Sequence, residues 1–241
     1  MAAMRVVGAD FGAEGEGIWY FAYGSNMHRD KRVERAQVRD LEVRRAALPG
    51  WRLAFDMHGV PPAEPSMANL REEAGAAVHG LLIRMSAVDF AALVASEGGD
   101  RFYAVTEVVA RSYDGESIRA STFVARPERR RSSACPPSRR YMALLREGAR
   151  AAGLDAAYCA YLDGLPVSEA APLGRACSAL VLELFAAASR SRFRGLAGHY
   201  LALLQATEEL APLPRAAAQG AVLAPALATA LGLRALRAIR R

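Results

Sequence analysis

Tyr20-Phe21-Ala22-Tyr23-Gly24-Ser25-Asn26-Met27 is the stretch from which the fold can be read. Ile18 to Tyr23 is an apolar run of strand length, and it stops at a Gly-Ser-Asn turn. Glycine at position 24 allows the backbone a positive φ or a close approach to a ligand. The turn exposes consecutive N–H groups and two short polar side chains at a strand end, a geometry suited to a carboxylate or another anion. A Gly-Ser-Asn tripeptide alone is most often only a turn, so the rest of the chain has to carry the functional reading.

Outward from this strand, residues 17–125 read mostly as further strands. Tyr103 to Ser112 and Ser117 to Ala125 are apolar, β-branched runs on either side of Tyr113-Asp114-Gly115-Glu116. Asp-Gly between two such runs predicts a hairpin. One helix interrupts the region. Ser86 and Asp89 form its capping pair, Phe90, Leu93 and Val94 share a face, and Gly98-Gly99 ends it. A second helix is expected from Ser138 to Gly153 with Tyr141, Leu144 and Leu145 facing inward, and a third from Asp155 to Leu162. Strands in order with few helices indicate a mixed α+β domain.

Several segments follow one another as they do in the gamma-glutamylcyclotransferases, and over about residues 17–166 the chain resembles that family. After the Tyr23–Met27 loop come Leu48-Pro49-Gly50-Trp51-Arg52-Leu53-Ala54-Phe55-Asp56, then Met67-Ala68-Asn69-Leu70, then Ala77 to Met85. Ser96-Glu97-Gly98, Tyr103 to Val108 and Pro136-Pro137-Ser138-Arg139-Arg140-Tyr141 complete the series. The resemblance implies a small mixed β-barrel with surrounding helices and a pocket at the barrel mouth. It also implies a reaction: the α-amine of a γ-glutamyl group attacks its own γ-carbonyl, releasing the amine and leaving 5-oxoproline. No water, metal or organic cofactor takes part. One carboxylate can serve as general base and then as general acid.

Glu97 matches the family's catalytic glutamate. It also stands at the C-terminal end of the predicted Ser86–Ser96 helix, where the helix dipole disfavours negative charge. Tyr23, Gly24, Ser25, Asn26 and Met27 would supply the substrate-binding loop, largely through backbone N–H groups aimed at a carboxylate or a developing oxyanion. Tyr103 and Tyr141 match tyrosines that line the family's pocket. Ser25 as a nucleophile is disfavoured, because the G-x-S-x-G elbow and an obvious histidine base are both missing. Asn26 follows Gly-Ser where the glutathione-specific branch has a leucine, which argues against that branch. The loop Gly98-Gly99-Asp100-Arg101-Phe102 departs from that of many relatives and leaves substrate preference open.

Three functions stay in view. The first is a cytoplasmic γ-glutamyl cyclotransferase acting on a small γ-glutamyl substrate. The second keeps the chemistry on a γ-glutamylamine or on a biosynthetic γ-glutamyl protecting group. The third is a non-catalytic γ-glutamyl-binding module, which Glu97 disfavours because a binder has no need of it.

Composition narrows the partners. The chain has 241 residues, 52% of them hydrophobic, and a net charge of +6. Lys31 is its only lysine and the arginines are mostly scattered, so the basic balance reads as coding bias and no nucleic-acid partner is expected. Arg126, Arg129, Arg130, Arg131, Arg139 and Arg140 are the exception, read as a solvated loop sooner than as a trap for acidic groups. Cys135, Cys159 and Cys177 are odd in number and lack C-x-x-C, and the four histidines lack ligand spacing, so neither disulfides nor a metal is indicated. Residues 1–16 are Gly- and acid-rich, read as loosely ordered, with no signal peptide. Composition shifts after Pro166, and 167–241 is read as an Ala/Leu/Arg-rich helical extension with two helices within 174–209. The uncharged Ala216–Leu233 has eight alanines plus Gly220, Pro225 and Gly232, which argues against a membrane span. Neither oligomeric state nor the extension's role is legible.

Overall fold

The computed structural model describes residues 17–169, 178, 181–183, 194–207, 210, 214–225 and 228. Residues 1–16, Cys177 and most of the predicted helical tail lie outside these. The chain divides into two compact units. The first holds the described residues up to 57 together with 68–132 and 140–165; the second holds 58–67, 133–139 and the described residues from 166 on.

The first unit is built on a closed barrel. Its strands are β1 (Ile18–Ala22), β2 (Glu42–Val60), β3 (Glu64–Met85), β4 (Tyr103–Ser112) and β5 (Ser117–Ala125), in the spatial order β1-β3-β2-β4-β5. β1 lies antiparallel to β3 with Tyr20 opposite Ile83, and the barrel closes where β1 meets β5 in parallel at Tyr20 and Ser121. Closure leaves no free edge. The predicted hairpin forms as expected, with Tyr103 opposite Ala125 and Arg111 opposite Ser117. Phe21, Leu48, Leu70, Leu82, Ile83 and Met85 are fully buried in the core.

Four helices belong mainly to this unit: α1 (Arg29–Ala36), α2 (Ala87–Ser96), α3 (Arg139–Ala151) and α4 (Ala156–Gly164). α2 follows the sequence closely: the Ser86 hydroxyl accepts from the Asp89 N–H, and Phe90, Leu93 and Val94 are buried. In α3 the buried side chains are Tyr141, Met142, Leu145 and Ala149, while Leu144, expected to face inward, is half-buried. Arg146 donates to the carbonyls of Leu162, Asp163 and Leu165, satisfying the orphan acceptors at the end of α4.

Two expectations need correction. The segments Met67–Leu70 and Ala77–Met85 are parts of one continuous strand, β3. The polar run between them is exposed, yet it keeps strand pairing because ladder hydrogen bonds need no apolar side chains, and an Arg52–Glu73 ion pair at 2.7 Å links the two long strands there. The sequence also predicts a single helix before residue 125, whereas α1 is a second. Its composition is polar nearly all round, so no apolar stripe announces it.

A buried polar network locks the barrel. Asn69 is fully buried; its Nδ2 donates to Asp56 Oδ1 at 2.8 Å, and its Oδ1 accepts from the Ala125 N–H at 2.8 Å. Arg71 Nε completes the cluster at 2.5 Å from Asp56 Oδ2. Asn69→Ala orphans a buried backbone donor and one carboxylate lone pair, a loss of about 2–4 kcal/mol. Thermal unfolding should then come roughly 5–10 °C lower. An unchanged midpoint would show that solvent reaches these groups.

In the second unit, Ala63 at the β2–β3 turn packs with Val181, Leu204 and Leu223, flanked by Val60, Leu182 and Val222. Helix α5 (Arg194–Ala206) begins within the predicted break at 192–198, and Gln205 donates to the Gly59 carbonyl at 2.9 Å. No helix among the described residues is long and apolar enough to cross a membrane.

Candidate active site

β1 delivers the chain into a 3₁₀ turn over Ser25–Met27, closed by Met27 N–H to Gly24 O at 3.0 Å and His28 N–H to Ser25 O at 3.2 Å. Among the described residues, the Ser25 and Asn26 N–H groups take no backbone partner in this turn. Gly24 has φ −113°, so the positive φ that a glycine there permits is not used. Nor does packing demand glycine, since a Cβ there would make only ordinary van der Waals contacts. A Cβ at this position would stand 3.6 Å from the Tyr141 hydroxyl, which itself accepts from the Ala68 N–H at 3.2 Å.

Glu97 is the C-cap of α2, its N–H bonded back to the Leu93 carbonyl at 3.1 Å. That position directs it to the loop: Asn26 Nδ2 donates to Glu97 Oε1 at 3.1 Å. The same Nδ2 donates to the Tyr20 hydroxyl at 3.2 Å. Asn26 is 7% exposed, and its Oδ1 is buried with no hydrogen-bond partner among the described residues. An amide facing a carboxylate must present its NH2, so the carbonyl end is the one left over.

The tyrosines gather round this pair. Tyr23 donates to the Phe123 carbonyl at 2.7 Å, and burial holds its phenol far above the ordinary value, with Tyr103, Tyr20, Tyr141 and Glu97 adding to the effect. Burial does the same to Tyr20; the Asn26 hydrogen bond opposes the shift, Glu97 adds to it, Arg32 opposes it and Tyr141 adds to it. Both phenols are therefore protonated at neutral pH and cannot act as bases there. Tyr103 packs its ring 5.7 Å from Phe123, whose ring lies 5.0 Å from Tyr20. Tyr23, Asn26, Glu97, Tyr103 and Tyr141 thus share one neighbourhood, with Gly24 against Tyr141. Met27 is buried behind the turn, 4% exposed, and His28 N–H is bonded to Ser25 O.

Among the described residues, no hydrogen bond joins the Ser25 hydroxyl to a base. His28 is the nearest histidine in sequence, and its Nε2 is bonded to the Leu144 carbonyl at 2.8 Å, so that nitrogen carries its proton there. If the turn acts through its backbone N–H groups, as expected from the sequence, Ser25→Ala keeps activity within about tenfold of the parent. Loss of turnover with substrate binding intact would restore the nucleophile.

Sequence reasoning missed Arg32, Asp40 and part of the role of Arg129. Arg32 is 1% exposed and donates to the loop carbonyls of Asn26 and Met27 while pairing with Asp40. A lone arginine in a polar helix carries no hydropathy signal. In the arginine-rich segment, expected as a solvated loop, Arg129 Nε donates to the Arg101 carbonyl at 3.1 Å and its guanidinium lies 4.8 Å over the Phe102 ring, bracing the loop after Glu97. Arg130 likewise holds the Ala125 carbonyl at 2.7 Å. Among the described residues no cluster of side chains could hold a metal ion, and Cys135 and Cys159 are free thiols.

Known proteins give this arrangement a family. The model described as gamma-glutamyl cyclotransferase, AIG2-like, matches residues 20–143. The gamma-glutamyl cyclotransferase gliK of Aspergillus fumigatus is 34% identical over 175 residues, covering 64% of this chain and 64% of the relative. The gamma-glutamyl cyclotransferase aclK of Aspergillus oryzae is 30% identical over 167 residues, covering 60% of each. The chain therefore spans about three-fifths of the length of these curated relatives. A solved structure titled gamma-glutamyl cyclotransferase superposes with a TM-score of 0.56 at 21% identity, over 68% of this chain and 99% of that one, which is a likeness of fold. Because the family model covers half of the sequence and the barrel has the expected architecture, the chain belongs to the AIG2-like gamma-glutamyl cyclotransferase family.

Proposed function

We propose that this protein is a γ-glutamyl cyclotransferase in which Glu97 moves the proton and the Tyr23–Met27 loop holds the γ-glutamyl group. The observation that carries the reading is the Asn26 amide, whose NH2 end holds the Glu97 carboxylate while its carbonyl oxygen is buried and unpaired. Leaving such an acceptor unsatisfied costs about 1–3 kcal/mol, a deficit that an N–H donor placed beside the Glu97 carboxylate would relieve. The α-ammonium of a γ-glutamyl group is such a donor. Glu97 takes one proton from it, and the freed amine nitrogen forms a bond to the γ-carbonyl carbon. The tetrahedral oxyanion is met by loop N–H groups. Collapse breaks the bond to the departing nitrogen, which receives the first proton from Glu97; Glu97 then takes the second proton from the ring nitrogen and passes it to the released amine, and 5-oxoproline remains.

Tyr103 and Tyr141 close the sides of the site and shape it for the short γ-glutamyl arm; no organic cofactor or metal enters the scheme. The test is incubation with γ-glutamyl amino acids, γ-glutamylamines, larger γ-glutamyl conjugates and glutathione, scoring 5-oxoproline. Release from at least one class is expected, with glutathione poor because Asn26 stands where the glutathione-specific branch carries leucine. Folded protein that binds these compounds yet releases nothing would replace the enzyme with a binding module.

A further inference from the structure

Arg32 is among the largest fully buried side chains in the protein, and it lies on the polar helix α1 where no hydrophobic argument would put it. Its guanidinium has two jobs. Nη1 donates to the Asn26 carbonyl and, at 3.2 Å, to the Met27 carbonyl. Nε and Nη2 meet both carboxylate oxygens of Asp40, at 3.3 and 2.5 Å. The Asp40 side chain is itself only 10% exposed. The carbonyls at the end of a 3₁₀ turn lack partners within the turn, and here one arginine supplies them. Burying a guanidinium is costly unless every face is paired, so this arrangement holds only while the turn keeps its place. The Asn26 backbone is gripped from one side and its side chain reaches Glu97 on the other.

We propose that Arg32, braced by Asp40, is a positioning residue that sets the Asn26 amide against the Glu97 carboxylate. It touches no reacting atom. Only a planar fork can serve a carboxylate and two carbonyls at once; a lysine ammonium keeps the charge and loses the alignment. The effect on turnover rests on the cyclotransferase reading above, whereas the effect on geometry does not.

The experiment compares the full chain with Arg32→Lys, Asn26→Ala and the double variant, by steady-state 5-oxoproline release and by a crystal structure of Arg32→Lys. Arg32→Met/Asp40→Leu, which removes both buried charges together, stands in if the lysine variant fails to fold. The contact between Asn26 Nδ2 and Glu97 should be lost with the barrel unchanged. kcat should fall on the order of tenfold to a hundredfold, as for a small misplacement of a catalytic constellation, with KM moving much less. In the Asn26→Ala background the Arg32 substitution should cost little more, since what it positions is already gone. Plain destabilisation would instead add to the loss. A retained contact in the variant structure overturns the proposal whatever the activity, and so does full additivity or a parent-like kcat. If the parent releases no 5-oxoproline, the cyclotransferase reading fails, and the variant structure alone decides whether Arg32 sets the loop.

Discussion

Glu97→Gln loses 5-oxoproline release by on the order of a hundredfold or more, the typical worth of a positioned acid–base group. The substitution is nearly isosteric, and the glutamine carbonyl can still accept from Asn26 Nδ2, so the 3.1 Å contact and the loop survive. On the proposed mechanism, what disappears is the group that takes the proton from the α-ammonium and passes it to the leaving nitrogen. The Tyr20 and Tyr23 phenols cannot substitute, because burial keeps both protonated through the neutral range. Binding should persist, since the Tyr23–Met27 loop, Tyr103 and Tyr141 are untouched. The measurement is kcat and KM side by side, with binding of an unreactive γ-glutamyl analogue followed by calorimetry. A Gln variant with near-normal turnover would remove Glu97 from the mechanism. Loss of binding together with turnover would make Glu97 a ligand for the substrate ammonium and nothing more.

The family resemblance picks out this carboxylate, and local signals give its place. A capped helix ending at Gly98-Gly99 puts Glu97 at its C-terminus, and the run into Gly24-Ser25-Asn26 marks a strand opening onto a turn. The Asp114-Gly115 hairpin is legible for the same reason, because alternation and turn chemistry are written within a few residues. What stays hidden depends on partners brought together by closure. Arg32 finds Asp40 eight positions away, Asn69 finds Asp56 thirteen away, and Asn26 finds Glu97 seventy-one away. Charged and polar side chains score as surface in any hydropathy window, yet Arg32, Asp56 and Asn69 are buried here because each is paired. The polar middle of β3 fails in the opposite sense. Its residues look like a loop and are exposed, but the backbone continues its ladder.

The loop after Glu97 is where a single methyl group should do the most damage. Gly98 has φ +91°, and a Cβ built there would lie 2.2 Å from Phe102 Cδ2 and 2.6 Å from Cε2. A flexible neighbour could move aside, but this ring carries the Arg129 guanidinium at 4.8 Å, and that arginine is tied to the Arg101 carbonyl. Gly98→Ala must therefore shift backbone as well as ring, and the residue next to it is Glu97. Holding an L side chain in the left-handed region costs on the order of 1–2 kcal/mol before any clash is counted. Displacing the carboxylate by even a fraction of its hydrogen-bond length should lower kcat by roughly tenfold to a hundredfold. Gly99→Ala supplies the control. It shares a positive φ of +64°, but a Cβ there meets nothing within 4 Å, so it carries the backbone strain without the collision. Thermal unfolding should fall in both variants and further in Gly98→Ala, while only Gly98→Ala should lose most of its turnover. Equal activity in the two would mean that Phe102 and Arg129 yield freely and that the Glu97 loop is not held from this side.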